Sequence, residues 1–225
     1  MTTEASTPAA RQRATGLARF LHRVGHLKRL PRTGWLHCGV PAAEVESVAD
    51  HAFRTSVLAW LGAAAVPELD RDRVLKLALV HDLAEALAGD PTPYDPDEIP
   101  TGDPAARAAF LNRRHVRSES RHAAKHAAEV AAMTELLTDL PPALAEEVRT
   151  LWEEVEGHTS PEARFVKGTD RLERFLQSRE YLAADGDRPM DSFAADADGI
   201  AEPALADLRD AIASLTIEPS APPPP

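Results

Sequence analysis

The chain has 225 residues, 44% of them apolar and 27% charged, which suits a single globular domain with a sizeable core. Its formal net charge of −11 argues against a nucleic-acid polymer as partner, because binding to a phosphate backbone draws on lysine and arginine, but it leaves room for a small phosphorylated molecule held by a metal. The single cysteine, Cys38, excludes an intramolecular disulfide framework and a cysteine zinc site, no apolar run is long enough to cross a bilayer, and the N-terminal MTTEASTPAA lacks the apolar core of a secretory signal; the expectation is a cytoplasmic protein with no membrane partner.

Residues 1–12 and the tail 218–225 are small, polar and proline-rich, so both are expected to be disordered around one domain over 13–217. Helical periodicity dominates between them and nothing alternates as strands do, which predicts an all-α fold. The first helix, about Thr15–Leu27, would turn Leu17, Phe20, Leu21 and Val24 inward. It leads to an irregular loop, Arg29–Trp35, whose proline and glycine stop any helix. Arg32 and Trp35 in that loop read equally as a clamp for a phosphate and a base, or as a surface arginine beside a core tryptophan.

A second helix is predicted over about Ser47–Ala65, opened by a Ser47/Asp50 capping box, with Val48, Ala52, Val57, Trp60 and Leu61 inward and His51 one turn in. From the N-cap Asp70 to the stop at Gly89 the pattern predicts one long central helix, apolar on nearly every side. Into it fall His81, Asp82 and Glu85, whose burial costs several kcal/mol each unless something pairs with them. His81 and Glu85 share a face and Asp82 stands about 100° round from His81. A divalent metal is the economical partner; a hydrogen-bonded His–Asp core pair is the other reading.

Asp90 follows the helix end and opens a rigid turn to Pro96. The stretch Pro104–Leu137 favours helix and is rich in arginine and histidine in its first half, where His115, His122 and His126 invite a metal reading against a simpler one of a solvated face or excursion. Pro141-Pro142 opens a helix to about Glu156. Ser160 and Pro161 open another to about Leu182, with Phe165, Val166, Leu172, Phe175 and Leu176 inward and Asp170 among them, a carboxylate that needs a metal or an arginine. Residues 184–199 read as an Asp-rich loop, followed by a short helix near Pro203–Leu215. With no glycine-rich phosphate loop and no nucleophile elbow, phosphate binding falls to a metal and arginines.

The order His51, His81-Asp82, Asp170 resembles the HD-domain superfamily of metal-dependent phosphohydrolases. The stretches LKRLPRTGW (27–35), ESVADH (46–51), LALVHDLAE (77–85), Gly89-Asp90, LWEE (151–154) and FVKGTD (165–170) narrow the resemblance to its 5′-deoxynucleotidase branch, over roughly residues 15–182. The resemblance implies a compact multi-helix bundle with a divalent cation (Mn²⁺, Co²⁺, Mg²⁺, Fe²⁺ or Zn²⁺) between its central helices, held by His51, His81, Asp82 and Asp170. It places Glu85 and Asp90 beside the metal as an acidic pair that orients or protonates groups, with a second cation near them left open. Arg32 matches a phosphate-contacting arginine and Trp35 an aromatic near the sugar; a homodimer is also implied. Residues 101–124 look like an insertion relative to human-like members.

The expected reaction is hydrolysis of a (deoxy)nucleoside 5′-monophosphate to nucleoside and phosphate, with Glu85 as first choice for the acid and Asp90 positioning water or ribose, the two roles being exchangeable. The alternatives carried forward are an HD-type phosphohydrolase of a modified nucleotide, an HD-type di-iron oxygenase using the extra histidines, and an inactive metal-binding regulatory or interaction protein.

Overall fold

Caps and prolines decide where the helices of this chain begin. The computed structural model describes residues 7–218, which form α1 (Pro8–Val24), α2 (Thr33–His37), α3 (Val48–Gly62), α4 (Arg71–Val80), α5 (Glu85–Ala88), α6 (Pro104–Asn112), α7 (Glu119–Leu137), α8 (Pro142–Gly157), α9 (Pro161–Ala184), α10 (Asp191–Ala197) and α11 (Pro203–Ser214). Ser47 and Asp50 make the reciprocal box at α3, Asp70 accepts from the Asp72 and Arg73 N–H groups at α4, and Ser160 accepts from Ala163 at α9, as the sequence predicts. Gly89, at φ 83°, ends α5. Among the described residues there is no strand, only an isolated antiparallel bridge between Pro31 and Ser47, so the fold is all-α; no helix is long and apolar enough to cross a membrane.

Helices α3, α4 and α9 pack on one another at the centre, where Ala59, Ala63, Val74, Leu77, Ala78, Val166 and Leu172 exclude water; α7 and α8 complete this core. The close approach of α3 is bought by small side chains. Its inward face is Val48, His51, Thr55 and Ala59, while Phe53, Trp60 and Leu61 point outward, which corrects the expectation that Trp60 and Leu61 are buried. On α1, likewise, Phe20 is buried but Leu17 and Leu21 are exposed.

Five element boundaries differ from the expected ones. α1 starts at Pro8, capped by Thr7, so residues 8–12 are helical; the expected disorder at residues 1–6 and 219–225 lies outside the described residues. The long helix over Asp70–Gly89 is interrupted: α4 ends at Val80 and residues 81–84 tighten into turns with Leu83 N–H bonded to Val80 O and Glu85 N–H to Asp82 O. The physical reason is His81, whose Nδ1 bonds the Ala78 carbonyl at 2.7 Å and so takes an acceptor that the α-helical ladder needs for residue 82. The stretch 104–137 is two helices, separated by an extended connection that Ser118 ends as the N-cap of α7. In the expected Arg29–Trp35 loop, α2 forms around Gly34 because the Asp90 carboxylate accepts from Thr33 N–H at 2.7 Å, a cap delivered from a distant part of the chain. Within the expected Asp-rich loop, α10 forms because Ala197 and Met190 find buried places against the rest of the fold.

Candidate metal centre

Three central elements bring four side chains to one point. α3 contributes His51 from its first turn, the tightened turn after α4 contributes His81 and Asp82, and α9 contributes Asp170. His51 Nε2 lies 3.3 Å from Asp170 Oδ1 and 3.7 Å from Asp82 Oδ2, and His81 Nε2 lies 3.1 Å from Asp82 Oδ2. His51, His81 and Asp170 form a group whose atoms all fall within 4.8 Å of one another, and all three residues are buried.

Hydrogen bonding on the far side of each ring fixes what the near side offers. His81 Nδ1 faces the Ala78 carbonyl, which only accepts, so Nδ1 carries a proton and Nε2 is turned toward Asp82, where it can take a proton or a metal ion. His51 Nδ1 meets the buried Glu173 carboxylate, which leaves Nε2 of that ring pointing at Asp82 and Asp170. Both Nε2 atoms, Asp82 Oδ2 and Glu85 Oε2 are buried and make no aligned hydrogen bond among the described residues. Lone pairs converging on lone pairs are unfavourable unless positive charge sits between them. Burial and Arg32 oppose a charged His51 ring, yet Asp170 and Glu173 outweigh them and push its pKa up to about 9. This position takes positive charge, from a proton or a metal ion, and two imidazoles with two carboxylates suit a divalent first-row cation.

The carboxylates divide into two kinds. Burial opposes ionisation of Asp82 and Asp170, but His81 with Arg32 holds the first well below the usual carboxylate range, and Arg174 with Lys167 holds the second there. Lys167 bonds Asp170 Oδ2 at 2.8 Å and Arg174 bonds Oδ1 at 3.0 Å. Glu85 goes the other way: burial and the neighbouring Asp82 and Asp90 push its carboxyl well above the usual range, against Arg32 and Lys125. Asp90 is occupied twice, by Thr33 N–H and by Arg32 Nη1 at 3.1 Å. All three carboxylates that Arg32 approaches gather on its Nη1, with Asp82 at 3.6 Å and Glu85 at 3.7 Å.

A cavity of about 340 Å³ opens over the centre and is lined by His81, Asp82, Glu85, Asp90, Asp170 and Arg32, among others. Trp35 also reaches its wall but is 2% exposed, with its Nε1–H donated to Glu46 and its faces against Phe193 and Tyr181. His115 lines the cavity and bonds the Phe110 carbonyl, whereas His122 and His126 sit exposed on α7, His126 stacked on Trp152; none of the three joins a potential metal group among the described residues.

Sequence reasoning missed Glu173, Arg54, Lys167 and Arg174. Glu173 is completely buried and bonded by Arg54 at 2.8 Å. Its signal was available: it stands three residues after Asp170, a second carboxylate on the same apolar stripe of α9.

Against known proteins, the profile of the HD domain family matches residues 24–208. A 5′-deoxynucleotidase HDDC2 of Mus musculus is 39% identical over 166 residues, covering 74% of this chain and 70% of its own length. The Homo sapiens 5′-deoxynucleotidase HDDC2 is 38% identical over 168 residues, covering 75% and 69%. Among solved structures, a protein of Pyrococcus horikoshii OT3 superposes with a TM-score of 0.60 at 28% identity, over 87% of this chain and 97% of its own.

Proposed function

Because this chain belongs to the HD domain family, we propose that its metal-dependent phosphohydrolase activity is the hydrolysis of (deoxy)nucleoside 5′-monophosphates to nucleoside and phosphate. That it is a metal-dependent nucleotide phosphohydrolase follows from the family and from relatives bearing that activity over most of the chain. The observation that carries the finer reading is the gathering of two kinds of carboxyl beside two buried imidazole nitrogens: Asp82 and Asp170, held well below the usual carboxylate range, and Glu85 on the same cavity wall, pushed above it by burial and its acidic neighbours.

His51, His81, Asp82 and Asp170 would hold the cation, of which Mn²⁺, Co²⁺, Mg²⁺, Fe²⁺ and Zn²⁺ all suit the donors to differing degrees, with Glu85 and Asp90 the place for any second one. Bound there, a divalent cation supplies charge to the phosphoryl oxygens and lowers the pKa of water. Glu85, whose carboxyl burial and its acidic neighbours push up, would give a proton to the 5′-oxygen as the P–O bond to it breaks and water takes that oxygen's place on phosphorus, so that an alkoxide need not leave. Asp90, held by the Thr33 N–H and Arg32, is fixed in direction and orients water or ribose. Arg32 brings Nε and Nη2, which make no hydrogen bond among the described residues, to the phosphate oxygens. Trp35 sets the wall beside the sugar through its packing on Phe193. A cytoplasmic homodimer completes this reading, and sedimentation equilibrium measures the assembly.

The test is phosphate release from ribo- and deoxyribonucleoside 5′-monophosphates after metal-stripped protein is resupplied with each cation. Metal-dependent release is expected, lost in Glu85→Ala and in Asp82→Asn while both variants keep wild-type helical circular dichroism. Protein that binds metal yet releases phosphate from no nucleotide overturns the substrate assignment.

A further inference from the structure

The connection between α6 and α7, residues 113–118, is held against the cavity and not left in solvent. His115 donates from Nε2 to the Phe110 carbonyl at 2.8 Å and packs its ring on Phe110 and Tyr94, with centroids 4.3 and 4.6 Å away. Arg114 bonds Asp196 of α10 at 3.2 Å, and Arg121, at the start of α7, bonds Asp95 at 3.0 Å. These ties fix the connection on both sides of Arg117.

Arg117 is half-buried on the cavity wall, where its Nη2 donates to the carbonyl of Pro91 at 2.6 Å. Pro91 follows Asp90, the residue that Arg32 bonds, so the two arginines border one turn. Every other lysine or arginine of the wall has a carboxylate within 4.0 Å; Arg117 has none among the described residues. Its charge is partly desolvated against one neutral acceptor, and burial accordingly pushes its pKa down. A fixed guanidinium with unused donors facing a cavity is complementary to a phosphate dianion, which accepts two parallel N–H bonds.

We propose that Arg117 is a second phosphate-binding arginine, which with Arg32 grips the phosphoryl group of the nucleotide at the Asp90–Pro91 turn and makes the α6–α7 connection part of the substrate site. The proposal rests on the nucleotide-hydrolase reading and adds a residue to it. In the free protein the Pro91 carbonyl holds the guanidinium in place; on binding, phosphate oxygens take the remaining donors and neutralise it.

The experiment uses the full chain loaded with Mn²⁺ and compares wild type, Arg117→Ala, Arg117→Lys and Arg113→Ala. Arg113 removes an equal charge from the same connection but sits over the Phe110 ring outside the cavity wall. Calorimetric titration with inorganic phosphate and steady-state kinetics with deoxynucleoside 5′-monophosphates are both read. Arg117→Ala is expected to weaken phosphate binding and raise KM by roughly ten- to a hundredfold, the effect of losing a charge-assisted bond, with kcat changed much less. Arg117→Lys should recover part of the loss, and Arg113→Ala should match wild type. Unchanged phosphate affinity and KM in Arg117→Ala overturn the proposal, as does an equal loss in Arg113→Ala, which would make the effect one of net charge. If wild type hydrolyses no nucleotide but Arg117→Ala still weakens inorganic phosphate binding, the anion subsite stands and the nucleotide reading falls.

Discussion

Glu173 does for His51 what the Ala78 carbonyl does for His81: it holds the ring by Nδ1 so that Nε2 faces the centre. A charged carboxylate does this more strongly than a carbonyl, because it also stabilises positive charge gathered by the ring. Glu173→Gln keeps an acceptor and the volume but removes the charge, and is expected to weaken metal binding by about tenfold or more, as loss of such outer partners does. Chelator competition measures this, and unchanged affinity in folded protein would refute it. Cys38 illustrates the opposite use of burial. It is 5% exposed, and burial pushes its thiol from the ordinary 9.0 up to about 12, against Arg107. The folded thiol should therefore resist iodoacetamide at pH 8 and react once urea unfolds the chain. The same shift predicts a pH effect: below pH 9 both states keep the proton, and between pH 9 and about 12 only the folded one does, so unfolding becomes easier as pH rises through that window. Urea midpoints at pH 8 and pH 10.5 compare the two, with Cys38→Ala reducing the drop.

At the scale of elements, the centre depends on interruptions as much as on helices. Had α4 run straight to Gly89, the Ala78 carbonyl would bond residue 82 and not the His81 ring, and His81 would lose its fixed direction. α2 is the other dependent element: five residues long, it forms under the Asp90 carboxylate and thereby places Arg32 at its N-cap beside the acidic cluster. Close approach of elements also shows in α1. A Cβ on Gly16 would run into the carbonyl oxygen of Asp139, between α7 and α8. Alanine is favoured over glycine in a helix interior by about 1 kcal/mol, but forcing backbone apart in a packed contact costs roughly 1–3 kcal/mol. Gly16→Ala is therefore expected to be net destabilising, seen as a lower thermal midpoint. A raised midpoint would mean that α1 moves away freely.

Across the whole molecule the net charge of −11 hides a local balance: the acidic centre is ringed by arginines and lysines on the cavity wall. The ring offsets the carboxylates, so that the phosphorylated substrate proposed above would meet less repulsion there than the overall charge implies. Because the proposed ligands come from α3, the turn after α4 and α9, a cation bound there would tie together the three elements that make the core. Metal at a hundredfold over its dissociation constant should stabilise the fold by about 2.7 kcal/mol, which for a chain of this size raises the thermal midpoint by roughly 5–10 °C. In His81→Ala the rise should vanish. A rise that persists there would place the cation elsewhere.

The sequence by itself determined the all-α class, the caps at Ser47, Asp70 and Ser160, the stop at Gly89 and the buried stripe of α9. It also singled out His51, His81, Asp82, Glu85, Asp90 and Asp170, because polar groups in apolar helices and resemblance to known motifs are both local signals. The structure draws all of these but His51 to the wall of one cavity and sets His51 behind it, with Nε2 3.3 Å from Asp170 and 3.7 Å from Asp82. What tertiary contact alone decided is α2 under a remote carboxylate, the outward turn of Trp60 and Leu61, α10, and the partners Glu173 and Arg54. Each depends on atoms far apart in the chain whose meeting no local pattern encodes: a cap supplied across 57 positions, an interface that admits only small side chains, a buried carboxylate whose worth lies in the ring it touches.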